Sequence, residues 1–125
     1  MHMKHVYKLY GIANCNTVKK ARDWLDANQV AYNFNDFKKQ VVSADILNSW
    51  LTQTPREQLI NRAGLTWRGL QASEKDNITD NATAIALMQA KTSLIKRPVL
   101  TKDGKILHLG FNEAAYKELL NEHND

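Results

Sequence analysis

The first 35 residues alternate strand, helix and strand, and this order constrains the fold more than any other feature. An apolar run at about 5–10 predicts a strand, and apolar residues recur at the spacing of one helix face over 17–27. Aromatic and asparagine residues alternate in a second predicted strand at 30–35. Because one helix separates the two strands, they are expected to pair in parallel through a right-handed crossover.

The C-terminal part predicts an antiparallel hairpin followed by a helix. Two apolar stretches, 99–101 and 105–109, flank Asp103-Gly104, and Asp-Gly is a strong signal for a two-residue hairpin turn. Asn112 is a good N-cap for the final helix, and Phe111 can pack onto that helix as a hydrophobic staple.

The middle of the chain, about 38–95, is predicted to be helical. Ser43 can cap a first helix, Pro55 ends it, and a later helix at about 80–90 is expected to pack through one face. That face consists of residues at helical spacing: Ala82, Ile85, Ala86 and Gln89.

The resulting order, β-α-β, helical insert, β-β-α, predicts an α/β thioredoxin-like fold with a four-stranded mixed sheet. We expect a single domain over 1–125. Its core spans about 5–37 and 96–122, and its helical insert spans about 38–95.

The composition of the chain restricts the classes of partner that we expect for it. The chain of 125 residues is 43% hydrophobic and 24% charged, and no apolar run approaches the roughly 20 residues that span a membrane. It shows no signal-peptide pattern and has a single cysteine, so we expect a cytoplasmic protein with no membrane partner. The excess of 17 Lys and Arg over 13 Asp and Glu is spread along the chain, which predicts no direct nucleic-acid binding. The four histidines have no ligand spacing with the cysteine, so no metal site is expected.

Cys15 is the candidate catalytic residue because it stands at the predicted strand-to-helix turn. Helix N-termini favour a negative group, and a thiol held there tends to ionise below its free pKa of about 8.5. A buried structural cysteine is the alternative, although its polar neighbours Asn14 and Thr17 argue against a packed position. Both neighbours are candidate substrate-binding residues. Thr17 can either cap the helix, which we favour, or donate to the sulfur.

Three further residues are candidates for substrate binding. Pro98 immediately precedes a strand, where a proline without an N–H group is tolerated, and its peptide bond can be cis or trans. Arg97 beside it can lower the pKa of the thiol and bind a carboxylate or oxyanion, unless it is an ordinary surface arginine. Arg62 lies in the helical insert, and nothing local to it predicts that it reaches Cys15.

Three separated segments occur in order along the chain, namely YGIANCNTVKKA at 10–21, LINRAG at 59–64 and RPVL at 97–100. Through these segments the chain resembles the ArsC/Spx family, the arsenate-reductase-like branch of the thioredoxin superfamily, most closely its YffB-type subgroup. The resemblance implies a thioredoxin-like fold with a helical insert, a nucleophilic Cys15, and an anion pocket to which Arg62 and Arg97 contribute.

The chain departs from that pattern at three places. Glutathione-coupled arsenate reductases have a histidine where this chain has Gly11, and a third arginine near its Leu109-Gly110-Phe111. Spx regulators have a second cysteine where this chain has Val18.

These comparisons favour a glutathione-dependent monothiol oxidoreductase with no bound cofactor. It would use glutathione as co-substrate and reduce a small disulfide or oxyanion through Cys15. The alternative is an Spx-like regulatory protein that binds RNA polymerase without catalysis.

Overall fold

The computed structural model describes the backbone of residues 5–123 and the side chains of residues 5–120. Its strands are β1 (Tyr7–Gly11), β2 (Asn33–Asp36), β3 (Val99–Lys102) and β4 (Lys105–Leu109). Its α-helices are α1 (Asn16–Ala27), α2 (Ala44–Leu51), α3 (Arg56–Leu59), α4 (Leu65–Arg68), α5 (Ala72–Asp76), α6 (Asn81–Ala90) and α7 (Glu113–His123). A short 3₁₀ turn, Thr92–Leu94, follows α6.

The chain divides into two compact units. The sheet unit comprises Met1–Phe37 and Arg97–Asp125, and the insert unit comprises Lys38–Lys96. Within residues 5–123, no helix is long and apolar enough to cross a membrane.

The sheet unit has the predicted thioredoxin-like topology. Its four strands lie in the order β2-β1-β3-β4; β1 pairs with β2 in parallel, and the other two pairs are antiparallel. Leu9 on β1 is opposite Leu100 on β3, and both are fully buried. The core around them is completed by Leu25 from α1 and Tyr116 from α7. The predicted mixed four-stranded sheet is therefore confirmed.

Local signals explain two of the connections in this unit. Asp103 and Gly104 have φ values of 51° and 85°, and a type I′ turn requires positive φ at both central residues. At the start of α7, the Oδ1 atom of Asn112 accepts a hydrogen bond from the N–H of Ala115 at 2.9 Å. The rings of Phe111 and Tyr116 meet edge to face at 4.8 Å, so the predicted cap and staple are both present.

The insert unit consists of short helices. The hydroxyl of Ser43 caps α2 by accepting from the N–H of Ile46 at 3.2 Å, and Trp50 of α2 is buried. The predicted face of α6 is partly wrong, since its buried residues are Ala84, Ile85 and Met88. Because α6 has apolar residues on nearly every side, periodicity alone does not select the packed face.

Candidate active site

The turn between β1 and α1 holds Cys15 as the N-cap residue of α1. Its backbone is extended, with φ −108° and ψ 127°, and its carbonyl accepts from the N–H of Lys19 at 2.9 Å. The turn is closed by a hydrogen bond of 3.2 Å, which the N–H of Cys15 donates to the carbonyl of Ile12. A Cβ atom on Gly11 would lie only 2.8 Å from Val18 Cγ2, so a side chain at this position would require Val18 to shift.

Thr17 does not cap the helix, which corrects the favoured prediction. Cys15 holds the N-cap position. Thr17 is instead the second residue of α1, and its backbone N–H donates to the Cys15 sulfur. The N-cap was predicted at Thr17 because threonine is a preferred N-cap residue and cysteine is not.

Opposing influences set the pKa of Cys15, and their net effect lowers it. Partial burial raises the pKa, because it disfavours the charged thiolate. The N–H of Val18, the guanidinium of Arg97 and the N–H of Thr17 all donate to the sulfur, and the Arg97 charge adds a further attraction. The site therefore stabilises the nucleophilic form of the thiol.

Strand pairing brings Arg97 to the thiol. Val99 opens β3 opposite Tyr10 near the end of β1, so the two residues before it lie beside the β1–α1 turn. The Arg97–Pro98 peptide bond is cis, and the carbonyl of Pro98 accepts from the N–H of Gly110 at 2.9 Å. Pro98 is buried and Arg97 is half-buried.

The predicted site residues thus fall into two groups. Five of them lie at one place in the sheet unit: Asn14, Cys15, Thr17, Arg97 and Pro98. Asn14 is exposed in the turn directly before the thiol. Arg62 belongs to the insert unit, where its guanidinium lies 5.2 Å from the ring centroid of Trp67. The roles of these residues in substrate binding stay predictions.

A groove in the sheet unit, lined by Thr17 and later residues of α1, was not predicted from the sequence. Its volume is ≈ 680 Å³, and α1 and the start of α7 form its walls. The charged residues Lys20 and Asp23 line it from α1. Their spacing of three residues on an exposed helix face was the available signal, but only the tertiary structure brings α7 opposite them.

Among residues 5–120, whose side chains the structure describes, no group of three or more His, Cys, Asp or Glu side chains could hold a metal ion.

A thioredoxin-like sheet with an activated thiol at the start of its first helix defines a class of thiol proteins. The chain belongs to the ArsC family, whose pattern matches residues 10–119.

Solved structures and a curated relative extend this similarity. The structure of a YffB protein is 42% identical, with a TM-score of 0.80, and the match covers 91% of this chain and 98% of that one. An arsenate reductase (ArsC) related protein from Brucella melitensis is 45% identical, with a TM-score of 0.72 and coverage of 90% and 92%. The global transcriptional regulator Spx 1 of Lactococcus lactis is 31% identical over 114 residues, covering 90% of this chain and 87% of the regulator.

Proposed function

We propose that this protein is a glutathione-dependent monothiol oxidoreductase that acts through Cys15. The observation that carries the proposal is the convergence of two backbone N–H groups and the Arg97 guanidinium on one sulfur. Such donors lower the pKa of a thiol, and the thiolate is the form that attacks oxidised sulfur.

The proposed reaction has two balanced steps. In the first, the Cys15 thiolate attacks the glutathionyl sulfur of a mixed disulfide between glutathione and a second thiol, forms a Cys15–glutathione disulfide, and releases the second thiol as a thiolate that takes up a proton. In the second, the thiolate of glutathione attacks the glutathionyl sulfur on Cys15, yields glutathione disulfide and frees the Cys15 thiolate. The sequence contains one cysteine, so an external thiol performs the second step.

The structure favours a disulfide over a tetrahedral oxyanion as the substrate. A histidine at Gly11 would require Val18 to shift, because even a Cβ atom there lies 2.8 Å from Val18 Cγ2. Phe111 stands near the place of the third arginine of arsenate reductases, and its ring packs on Tyr116 instead of offering a charge. A trianionic arsenate would therefore meet fewer cationic donors here than in those enzymes.

Arginines supply the proposed binding of glutathione. Arg97 already donates to the sulfur and can hold a carboxylate with its remaining N–H groups, since a guanidinium offers five. We assign Arg62 to the binding of an anionic group of the substrate. Asn14 and Thr17 flank the thiol in the chain, and we assign both of them and Pro98 to substrate binding. No bound cofactor is required in this scheme.

The decisive experiment compares wild-type protein with Cys15→Ser in a glutathione-coupled assay of a mixed disulfide substrate. We expect the variant to lose at least about 10³-fold in rate, because serine is a far weaker nucleophile at neutral pH. Matching unfolding curves for the two proteins serve as the folding control. Full glutathione-dependent activity in Cys15→Ser would reject the proposal.

A regulatory function is the second candidate, and the match to Spx 1 of Lactococcus lactis across 90% of this chain favours it. In that case the protein would bind RNA polymerase without catalysis. Spx-type redox switching through a second cysteine is ruled out, because Val18 occupies that position. Co-purification of RNA polymerase subunits with both the wild type and Cys15→Ser, together with no reductase activity, would support this candidate.

A further inference from the structure

The groove between α1 and the start of α7 has the character of a binding subsite. Its volume of ≈ 680 Å³ is within the range of small-molecule sites. The lining residues come from α1 and from the start of α7, and they are Thr17, Lys20, Asp23, Trp24, Phe111, Asn112 and Glu113. The backbone N–H of Thr17 also donates to the sulfur, so the groove includes a residue in contact with the thiol.

Charges of both signs line this groove. Lys20 provides a cation, while Asp23 and Glu113 provide carboxylates. Within the part of the chain whose side chains are described, none of the three takes part in an ion pair or a side-chain hydrogen bond. They are therefore available to a ligand that carries both an anionic and a cationic group.

The groove also has an ordered aromatic wall. The rings of Trp24 and Phe111 both pack edge to face on the buried ring of Tyr116, at 5.7 Å and 4.8 Å between centroids. This packing fixes one side of the groove, so that binding there does not require a loop to be ordered first.

We propose that the groove binds the γ-glutamyl end of glutathione, a zwitterionic amino-acid group, while its sulfur is joined to Cys15. Lys20 would pair with the α-carboxylate, and Asp23 and Glu113 with the α-ammonium. The proposal rests on the glutathione chemistry proposed above and adds the part of the molecule that the protein recognises.

Distance supports this assignment. Lys20 is five residues along α1 from Cys15, so it lies about 7.5 Å further along the helix axis, and Asp23 lies about 12 Å along it. From the glutathione sulfur, the γ-linked glutamyl group reaches on the order of 8 Å when extended. The charged end of glutathione would thus arrive at the level of Lys20.

The test measures how fast Cys15 forms a mixed disulfide with three probes. Glutathione disulfide carries the γ-glutamyl group, the disulfide of Cys-Gly lacks it, and hydroxyethyl disulfide has no charge. We expect wild-type protein to react with glutathione disulfide about fivefold or more faster than with Cys-Gly disulfide, relative to the uncatalysed rates with free cysteine.

Two variants, Lys20→Ala and Asp23→Asn, should each remove most of that preference, while their rates with hydroxyethyl disulfide stay unchanged. Asp23→Asn is the sharper variant. Loss of the Asp23 charge would strengthen the long-range attraction between the protein and dianionic glutathione disulfide, and by itself it would speed the reaction. A slower reaction of Asp23→Asn therefore identifies direct contact between Asp23 and the ammonium group. Lys19→Ala and Asp26→Asn are the matched controls, because both residues are exposed on α1 and lie outside the groove.

The outcomes separate the subsite from the proposed function. Equal relative rates with all three probes, or equal effects of Lys19→Ala and Lys20→Ala, would overturn the subsite and leave a reactive Cys15 in place. Absence of reaction with all three probes would overturn both proposals. Loss of preference only in Lys20→Ala and Asp23→Asn is the result that supports the subsite.

Discussion

In the sheet unit, Arg97 donates to the sulfur of Cys15, whereas in the insert unit Arg62 lies 5.2 Å from the centre of the Trp67 ring. Lys75 also approaches that ring, at 5.3 Å, so two cations share one indole. The contact of Arg97 changes the ionisation of a nucleophile, while that of Arg62 is a cation–π interaction near the surface. The two arginines show that a cation acquires its role from the group placed beside it.

This contrast extends to the construction of the two units. The sheet unit joins chain segments far apart in sequence, since β1 pairs with β3, and a site can form from residues 15 and 97. The insert unit is made of short helices around buried residues such as Trp50 and Leu59. We therefore expect substitutions in the insert core to act on stability, and substitutions near Cys15 to act on chemistry.

The largest expected effect is on stability, from Trp50→Ala in the insert unit. Trp50 is 2% exposed, and truncation of a buried tryptophan to alanine costs about 3–5 kcal/mol of unfolding free energy. Urea denaturation measures this loss, with Val41→Ala as an exposed control. If folded Trp50→Ala also showed a raised Cys15 pKa, the division between stability and chemistry would be wrong. The milder Trp50→Phe gives the same comparison if the alanine variant does not fold.

The next effect concerns the two arginines. Because Arg97 stabilises the thiolate, Arg97→Gln should raise the pKa of Cys15 and, at a pH below the wild-type pKa, slow iodoacetamide alkylation by up to about tenfold. Arg62→Gln should leave that rate unchanged and alter only KM for the anionic substrate.

Arg68→Gln is the control for a lost surface charge, since Arg68 is an exposed arginine of the insert unit. Equal slowing of alkylation by Arg62→Gln and Arg97→Gln would show that both arginines act on the thiol.

Helix caps allow the stability of the two units to be compared through substitutions with smaller expected effects. Ser43 caps α2 in the insert unit, and Asn112 caps α7 in the sheet unit. Replacement of either with alanine should cost about 1 kcal/mol of unfolding free energy. Ser73→Ala, at an exposed site in α5, should change it by less than about 0.5 kcal/mol. A cap variant as stable as the wild type would mean that its helix end is satisfied by other groups.

The smallest expected effect is the pH dependence of stability that comes from Cys15. Its pKa is lower in the folded protein than in the unfolded chain, so its contribution is complete above the unfolded pKa and is lost as pH falls through the folded pKa. The difference in unfolding free energy between the wild type and Cys15→Ser should therefore grow as pH rises from 6 to 9. A difference that stays constant over this range would mean that folding does not shift the thiol pKa.

Sequence patterns predicted the sheet unit better than the insert unit for a physical reason. In α1 the apolar residues Val18, Ala21 and Leu25 form one stripe, and all three are buried as expected. In α6 alanines and larger apolar residues surround the helix, so the stripe is undefined and the packed face was predicted only in part. The Asp103-Gly104 turn was equally clear, because few residue pairs accept positive φ at both positions.

Some features of the candidate site could likewise be predicted from the sequence, and others could not. Cys15 could be predicted from its local surroundings, and the contact of Arg97 with it follows once β3 is paired with β1. The N-cap role of Cys15 was missed because the residue preference favoured Thr17. The groove that includes Glu113 could not be found in the sequence, because it depends on how α7 packs against α1.

The presence of one cysteine at the start of α1 has a kinetic consequence. In a protein with a neighbouring second thiol, that thiol reduces the mixed disulfide, and the fold fixes its effective concentration and therefore the rate. Here the lifetime of the Cys15 mixed disulfide would instead vary inversely with the free thiol concentration in the surrounding solution. At steady state, the oxidised fraction of the protein would therefore report the concentration of free thiol around it.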